Sequence, residues 1–121
     1  MANPFTHVEL QSQNVEQATE FYGALLDWKF ENMPMQDSDQ HYTMIQTGEG
    51  VAGGMMQHPV PQAPSMWIPY MNVDDVKQST DKALSLGATI LREKTAVPEH
   101  GWFSIIQDPT GAVFGLWQNK N

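Results

Sequence analysis

The sequence predicts an α+β fold: two tandem β-α-β-β-β modules, helices over one face of a curved mixed sheet, and the other face left open for a ligand. Three observations carry this. First, Gly-Ala-Val-Phe-Gly-Leu-Trp-Gln at 111–118 echoes Gly-Val-Ala-Gly-Gly-Met-Met-Gln at 50–57, with glycine on glycine at 50/111 and 54/115 and glutamine on glutamine at 57/118. Second, the same offset of 61 residues holds upstream. Tyr42–Gln46 lies on Phe103–Gln107, and Val15, Gln17, Thr19 and Leu25 fall on Val76, Gln78, Thr80 and Leu86. Third, residues 5–11 alternate with period two, and residues 15–26 follow with apolar side chains at helical spacing. Two copies at so long a period mean a duplicated module, not a solenoid.

In the first module, about residues 4–57, Thr6, Val8 and Leu10 share one face of a strand over 5–11, and His7, Glu9 and Gln11 share the other. Asn14 is a candidate N-cap, with Gln17 three residues on. Val15, Ala18, Phe21, Tyr22 and Leu25 recur at helical spacing, predicting an amphipathic helix over 15–26. Strands follow over 28–33, 41–46 and 51–57, with a loop at 34–40. Three prolines within 58–64 exclude helix and central strand, so 58–65 reads as the linker. The second module, about 66–119, repeats the plan. A strand over 66–72 leads to a helix over 76–86, capped by Asp74 or Asp75 and closed by Gly87. Strands over 88–94, 102–107 and 112–118 follow, with a loop at 95–101 and a turn at Asp108-Pro109-Thr110-Gly111.

At 121 residues the chain has the length of one domain. It has no cysteine, hence no disulfide, thiol nucleophile or cysteine-based zinc site. Its net charge of −8 and six unclustered Lys and Arg residues make nucleic acid a poor partner. An acidic balance suits a cationic ligand by long-range steering, and serves solubility in any case. No apolar run reaches membrane length and no signal peptide is read at the N-terminus, so a cytoplasmic protein is expected. Gly48-Glu49-Gly50-Val51-Ala52-Gly53 spells a dinucleotide-binding fingerprint, but no helix follows to receive a phosphate.

The paired β-α-β-β-β plan, His7-x-Glu9 on the first strand, Phe21-Tyr22 late in the first helix, and Asp108-Pro109-x-Gly111 before Phe114-x-Leu116-Trp117-Gln118 resemble the vicinal oxygen chelate superfamily. That superfamily groups glyoxalase I, extradiol dioxygenases, and fosfomycin and bleomycin resistance proteins. The resemblance covers essentially the whole chain and is nearest to the glyoxalase-like branch. It implies a homodimer. It also implies a divalent ion held by side chains from the first and last strand of each module, at positions His7, Gly54, Ile68 and Gly115. The repeat pairs the same positions, since 61 residues separate His7 from Ile68 and Gly54 from Gly115. Only His7 has a ligating side chain. The metal site therefore reads as degenerate, and no cofactor is expected; a divalent metal with displaced ligands is the alternative.

His7 and Glu9 share a strand face and are the candidate acid–base pair. A remnant ligand beside a solvating acid is the plainer account of them. Alternation places Tyr70 on the face of Ile68 and Trp117 on the face of Gly115. With Met56 and Trp102 they read as the wall of a pocket for a flat or apolar small molecule. The competing account has these rings filling the vacated metal site. Glu99 and His100 fall in a loop able to rim the pocket. His41 and His58 read as surface residues without a role.

Overall fold

The computed structural model describes residues 3–34, 41–50 and 52–120. They divide into two compact units: His7–Ile68, and the remaining described residues before and after it. Of the loop expected at 34–40, residues 35–40 lie outside the described residues.

The elements follow in chain order as β1 (Phe5–Ser12), α1 (Val15–Leu25), β2 (Lys29–Pro34), β3 (His41–Gln46) and β4 (Ala52–Gln57). The second set is β5 (Met66–Asn72), α2 (Val76–Ser85), β6 (Thr89–Val97), β7 (Gly101–Gln107) and β8 (Val113–Asn119). Both β-α-β-β-β modules are therefore present, in an α+β fold. In the first unit the strands run in the order β2-β3-β4-β1, with β1 and β4 parallel and the other neighbours antiparallel. In the second the order is β5-β8-β7-β6, with β5 and β8 parallel. The two units share one topology, as the repeat requires.

Matching caps start the helices. Asn14 Oδ1 accepts from Gln17 N–H at 3.0 Å, and Asp75 Oδ1 accepts from Gln78 N–H at 3.0 Å. Each satisfies a donor that the first helical turn leaves without a partner. Under α1, Leu10, Ile45 and Met55 form a buried core against which Val15, Ala18, Tyr22, Trp28 and Phe30 pack. Under α2 the core is Val76, Ile106 and Leu116. A buried hydroxyl pair, Thr80 and Ser104 at 2.9 Å, crosses that helix–sheet interface. The expected turn is present: Asp108 Oδ1 accepts from Thr110 N–H at 2.8 Å and Ala112 N–H at 3.1 Å.

Three expectations are corrected. Phe21 and Leu25 are 56% and 62% exposed, not packed inward with Val15, Ala18 and Tyr22. The apolar stripe of α1 is wider than the strip of sheet it covers. His58 is buried, not at the surface: its Nδ1 accepts from Val60 N–H at 3.0 Å, and its own N–H donates to Ser12 O at 2.8 Å. The first half of the expected loop at 95–101 is strand. Shifts of register between Ile90 and Arg92, and between Arg92 and Thr95, let β6 run on to Val97.

Candidate functional site

Alternation settles which side chains face away from the helices. In the first unit, Leu10, Ile45 and Met55 meet α1. His7, Glu9 and Gln11 on β1, Tyr42 and Met44 on β3, and Gly54 and Met56 on β4 therefore face the other way. In the second unit, Ser104, Ile106 and Leu116 meet α2. Tyr70, Phe103, Ile105, Gly115 and Trp117 then share the opposite face.

Register turns these lists into rows. In the first unit Glu9, Gly54, Met44 and Glu31 lie side by side across the sheet. In the second unit the row is Tyr70, Gly115, Ile105 and Arg92. Each member of the second row is 61 residues after its counterpart in the first.

Both glycines lie against tyrosine rings. A Cβ at Gly54 would collide with the Tyr42 phenol oxygen and ring, and one at Gly115 with the Tyr70 ring. Only glycine lets a ring come so close to the strand. The Tyr42 hydroxyl is hydrogen-bonded to His7 Nε2 at 2.5 Å, and the two rings lie 6.0 Å apart, tilted by 30°. Burial disfavours the charged imidazole and pushes the His7 pKa from 6.5 down to about 4. At neutral pH the ring is uncharged, and its tautomer sets which of the phenol and Nε2 donates. Glu9 is 1% exposed and accepts from Gln11 Nε2 at 2.9 Å.

These contacts decide how the inherited metal positions fit an ion. His7 meets a phenol, the rings of Tyr42 and Tyr70 take the space beside Gly54 and Gly115, and Ile68 is buried and apolar. Among the described residues no group of three or more His, Asp or Glu side chains is placed to hold a metal ion. Of the inherited positions His7 alone carries a nitrogen or oxygen ligand, whereas a divalent cation needs several converging on one point.

The structure brings His7, Glu9, Gly54 and Met56 to one face of the first unit, where Ile68 is also fully buried. It brings Tyr70, Gly115 and Trp117 to one face of the second. Trp102 is not with them. It shares the strand face of Ser104 and Ile106, with Lys94 Nζ 5.0 Å from the ring centroid. His100 is exposed, and its N–H donates to Val97 O at 2.9 Å. A separate cavity of about 540 Å³ opens on the α1 side of the first unit, with Glu16, Glu20, Asn32, His41 and Thr43 among its lining residues.

Two residues on these faces do not stand out as site residues in the sequence. Tyr42 was legible as the counterpart of Phe103 on a strand beside Gly54, but nothing local says that its ring leans over that glycine. Arg92 was hidden by the register shifts that decide its face. Regular alternation from Ile90 would turn it toward α2.

The family model for the glyoxalase-like domain matches residues 7–117. The chain belongs to the glyoxalase-like domain family. This glyoxalase-like domain is 31% identical, over 108 residues and 89% of its length, to "Putative glyoxylase CFP32" of Mycobacterium tuberculosis and of Mycobacterium bovis. The chain spans only 41% of the length of those relatives. Among solved structures, methylmalonyl-CoA epimerase from Mycobacterium tuberculosis superposes with a TM-score of 0.70 at 14% identity, over 97% of this chain and 88% of that one. Protein BH1468 from Bacillus halodurans gives 0.71 at 10% identity, over 100% and 97%. At such identities these structures speak for the fold alone. No helix among the described residues is long and apolar enough to cross a membrane.

Proposed function

We propose that this glyoxalase-like domain binds a small organic molecule against the helix-free faces of its modules, with a degenerate metal site that contributes no ion. One observation carries the reading: the side chain best placed to ligate a metal, His7, is engaged by the Tyr42 phenol that lies over Gly54. The aromatic and sulfur side chains around the two glycines suit a flat or apolar ligand body. A homodimer belongs to the same proposal; sedimentation at equilibrium checks it, and a monomer at all concentrations removes that part.

The test is elemental analysis after incubation with Ni, Zn, Fe(II) and Mn, for the wild type and His7→Ala. The expected result is background metal in both. About one ion per chain in the wild type, lost in His7→Ala, sinks the proposal.

A second reading has an observation of its own. The Glu9 carboxylate is 1% exposed and lies directly across from Gly54, in the way a general base is held away from water. An epimerase is among the structural neighbours. On this reading Glu9 moves a proton on a bound carbon acid, with neutral His7 and Tyr42 as its polar neighbours. Solvent deuterium entering a bound ligand in the wild type, and not in Glu9→Gln, favours it. Retained ligand affinity without any exchange leaves binding alone.

A further inference from the structure

Strand β6 has two irregularities, and both serve one side chain. Ile90 pairs with Ile106, and unbroken alternation would set Arg92 opposite Ser104, on the α2 side. One extra residue at Leu91 sets it opposite Ile105, on the helix-free face. A second shift does the same for Thr95, which comes to lie opposite Phe103. Bulges re-aim side chains, and are frequent beside functional sites.

The re-aimed residues form a small assembly. Arg92 Nε donates to Thr95 Oγ1 at 3.2 Å, and that hydroxyl donates in turn to Glu93 O at 2.9 Å. The guanidinium carbon lies 5.4 Å from the centroid of the Phe103 ring. One edge is tied, one face is stacked, and the terminal nitrogens remain. Among the described residues no carboxylate pairs with Arg92. A partly buried guanidinium without an acid partner, fixed in plane, presents a fork that matches a carboxylate or phosphate.

The charge balance of the chain does not oppose this. Residues 7–68 hold eight acidic residues and one lysine, a net charge of −7. Residues 69–121 hold six acidic residues and five Lys and Arg, a net charge of −1. The acidity that suggested a cationic guest belongs almost wholly to the first module. There, the position equivalent to Arg92 is Glu31.

We infer that Arg92, held by Thr95 and Phe103, is an oxyanion-binding group, and that the ligand carries a carboxylate or phosphate on an apolar body lying along the half-buried Trp117. This names the ligand class of the small-molecule reading above and rests on it.

The experiment is calorimetric titration of the full chain, in phosphate-free buffer, with benzoate, phenyl phosphate, benzyl alcohol and benzylammonium. Wild type, Arg92→Gln, Arg92→Lys and Thr95→Val are compared, with thermal midpoints recorded for each. Benzoate or phenyl phosphate binds the wild type more tightly than benzyl alcohol does. Whichever anion is preferred separates a carboxylate source from a phosphate source. Arg92→Gln weakens that anion by roughly ten- to a hundredfold, as loss of a charge-assisted hydrogen bond does, and leaves benzyl alcohol unchanged. Arg92→Lys keeps charge without the fork and falls between. Thr95→Val, which frees the guanidinium edge, weakens the anion several-fold. Equal anion binding in wild type and Arg92→Gln overturns the assignment, as does tighter binding of benzylammonium. If Arg92→Gln does not fold, wild-type-like anion affinity in both Arg92→Lys and Thr95→Val overturns it. Benzyl alcohol binding without an anion preference removes the role of Arg92 and leaves the small-molecule reading standing. Binding of none of the four probes removes both.

Discussion

The two modules share a backbone plan and differ in what they place on it. Across the first runs Glu9, Gly54, Met44 and Glu31; across the second, Tyr70, Gly115, Ile105 and Arg92. The glycine is the common member, and in both modules it makes room for a tyrosine ring. The rings arrive differently. Tyr70 comes from the strand directly opposite Gly115, where the first module has Glu9. Tyr42 comes from β3, where the second module has Phe103. The first module keeps a polar face, with the His7 and Tyr42 pair and a buried carboxylate. The second is aromatic, with Tyr70 edge-on to Phe103 at 6.2 Å, and one cation at its rim. Backbone demands are met alike, while the helix-free faces have taken different chemistry. A glycine that a sheet would otherwise disfavour becomes the shared device for seating a ring.

The largest effect should come from removing the ring in the second module. Tyr70 is 1% exposed, so Tyr70→Ala is expected to cost about 3–5 kcal/mol in urea unfolding, as other buried large-to-small changes do. Gly115→Ala should cost about 1–3 kcal/mol by overpacking. The two changes should couple, because Gly115→Ala in the Tyr70→Ala background has no ring to strike. An undiminished cost in that background breaks the claim that the ring is what keeps position 115 small.

Next in size is the pH dependence, which belongs to the first module. The unfolded chain binds a proton on His7 near pH 6.5, while the folded chain does so only near 4. Between those values the unfolded state holds the extra proton, so stability falls as pH falls through that window. The full loss is on the order of 3 kcal/mol, from the size of the shift. Converting the pair to its second-module counterparts, with His7→Ile and Tyr42→Phe together, should flatten urea midpoints between pH 6.5 and 4. An unchanged slope would assign the effect to another group.

Much of this comparison was legible in the sequence, and the reasons for the rest are physical. The repeat, the caps at Asn14 and Asp75, the Asp108 turn and the face shared by His7 and Glu9 follow from short-range spacing, which backbone geometry enforces. The pairing of Gly54 with Gly115 followed from the same register. The lean of Tyr42 over Gly54 did not, because ring placement depends on packing across strands. Arg92 was illegible for a sharper reason: inserting one residue in a strand reverses the face of everything beyond it. His58 was missed because a proline-rich stretch reads as exposed, yet its imidazole caps the turn that begins there.

The smallest effect tests the likeness of the modules. Asn14→Ala and Asp75→Ala each remove one side-chain acceptor from equivalent helix starts, and each should cost about 1 kcal/mol. Asp75 also places a negative charge at the positive end of the α2 dipole, which adds a few tenths of a kcal/mol at low salt. Asp75→Asn isolates that increment by giving the second helix the cap of the first. It should lower stability slightly at low ionic strength and not at all at high salt, where screening removes the charge effect. Urea midpoints at two salt concentrations decide it. A loss in Asp75→Asn that salt does not remove would mean that the Asp75 carboxylate fits its cap site better than an amide can. The helix starts would then differ between the modules as their helix-free faces do.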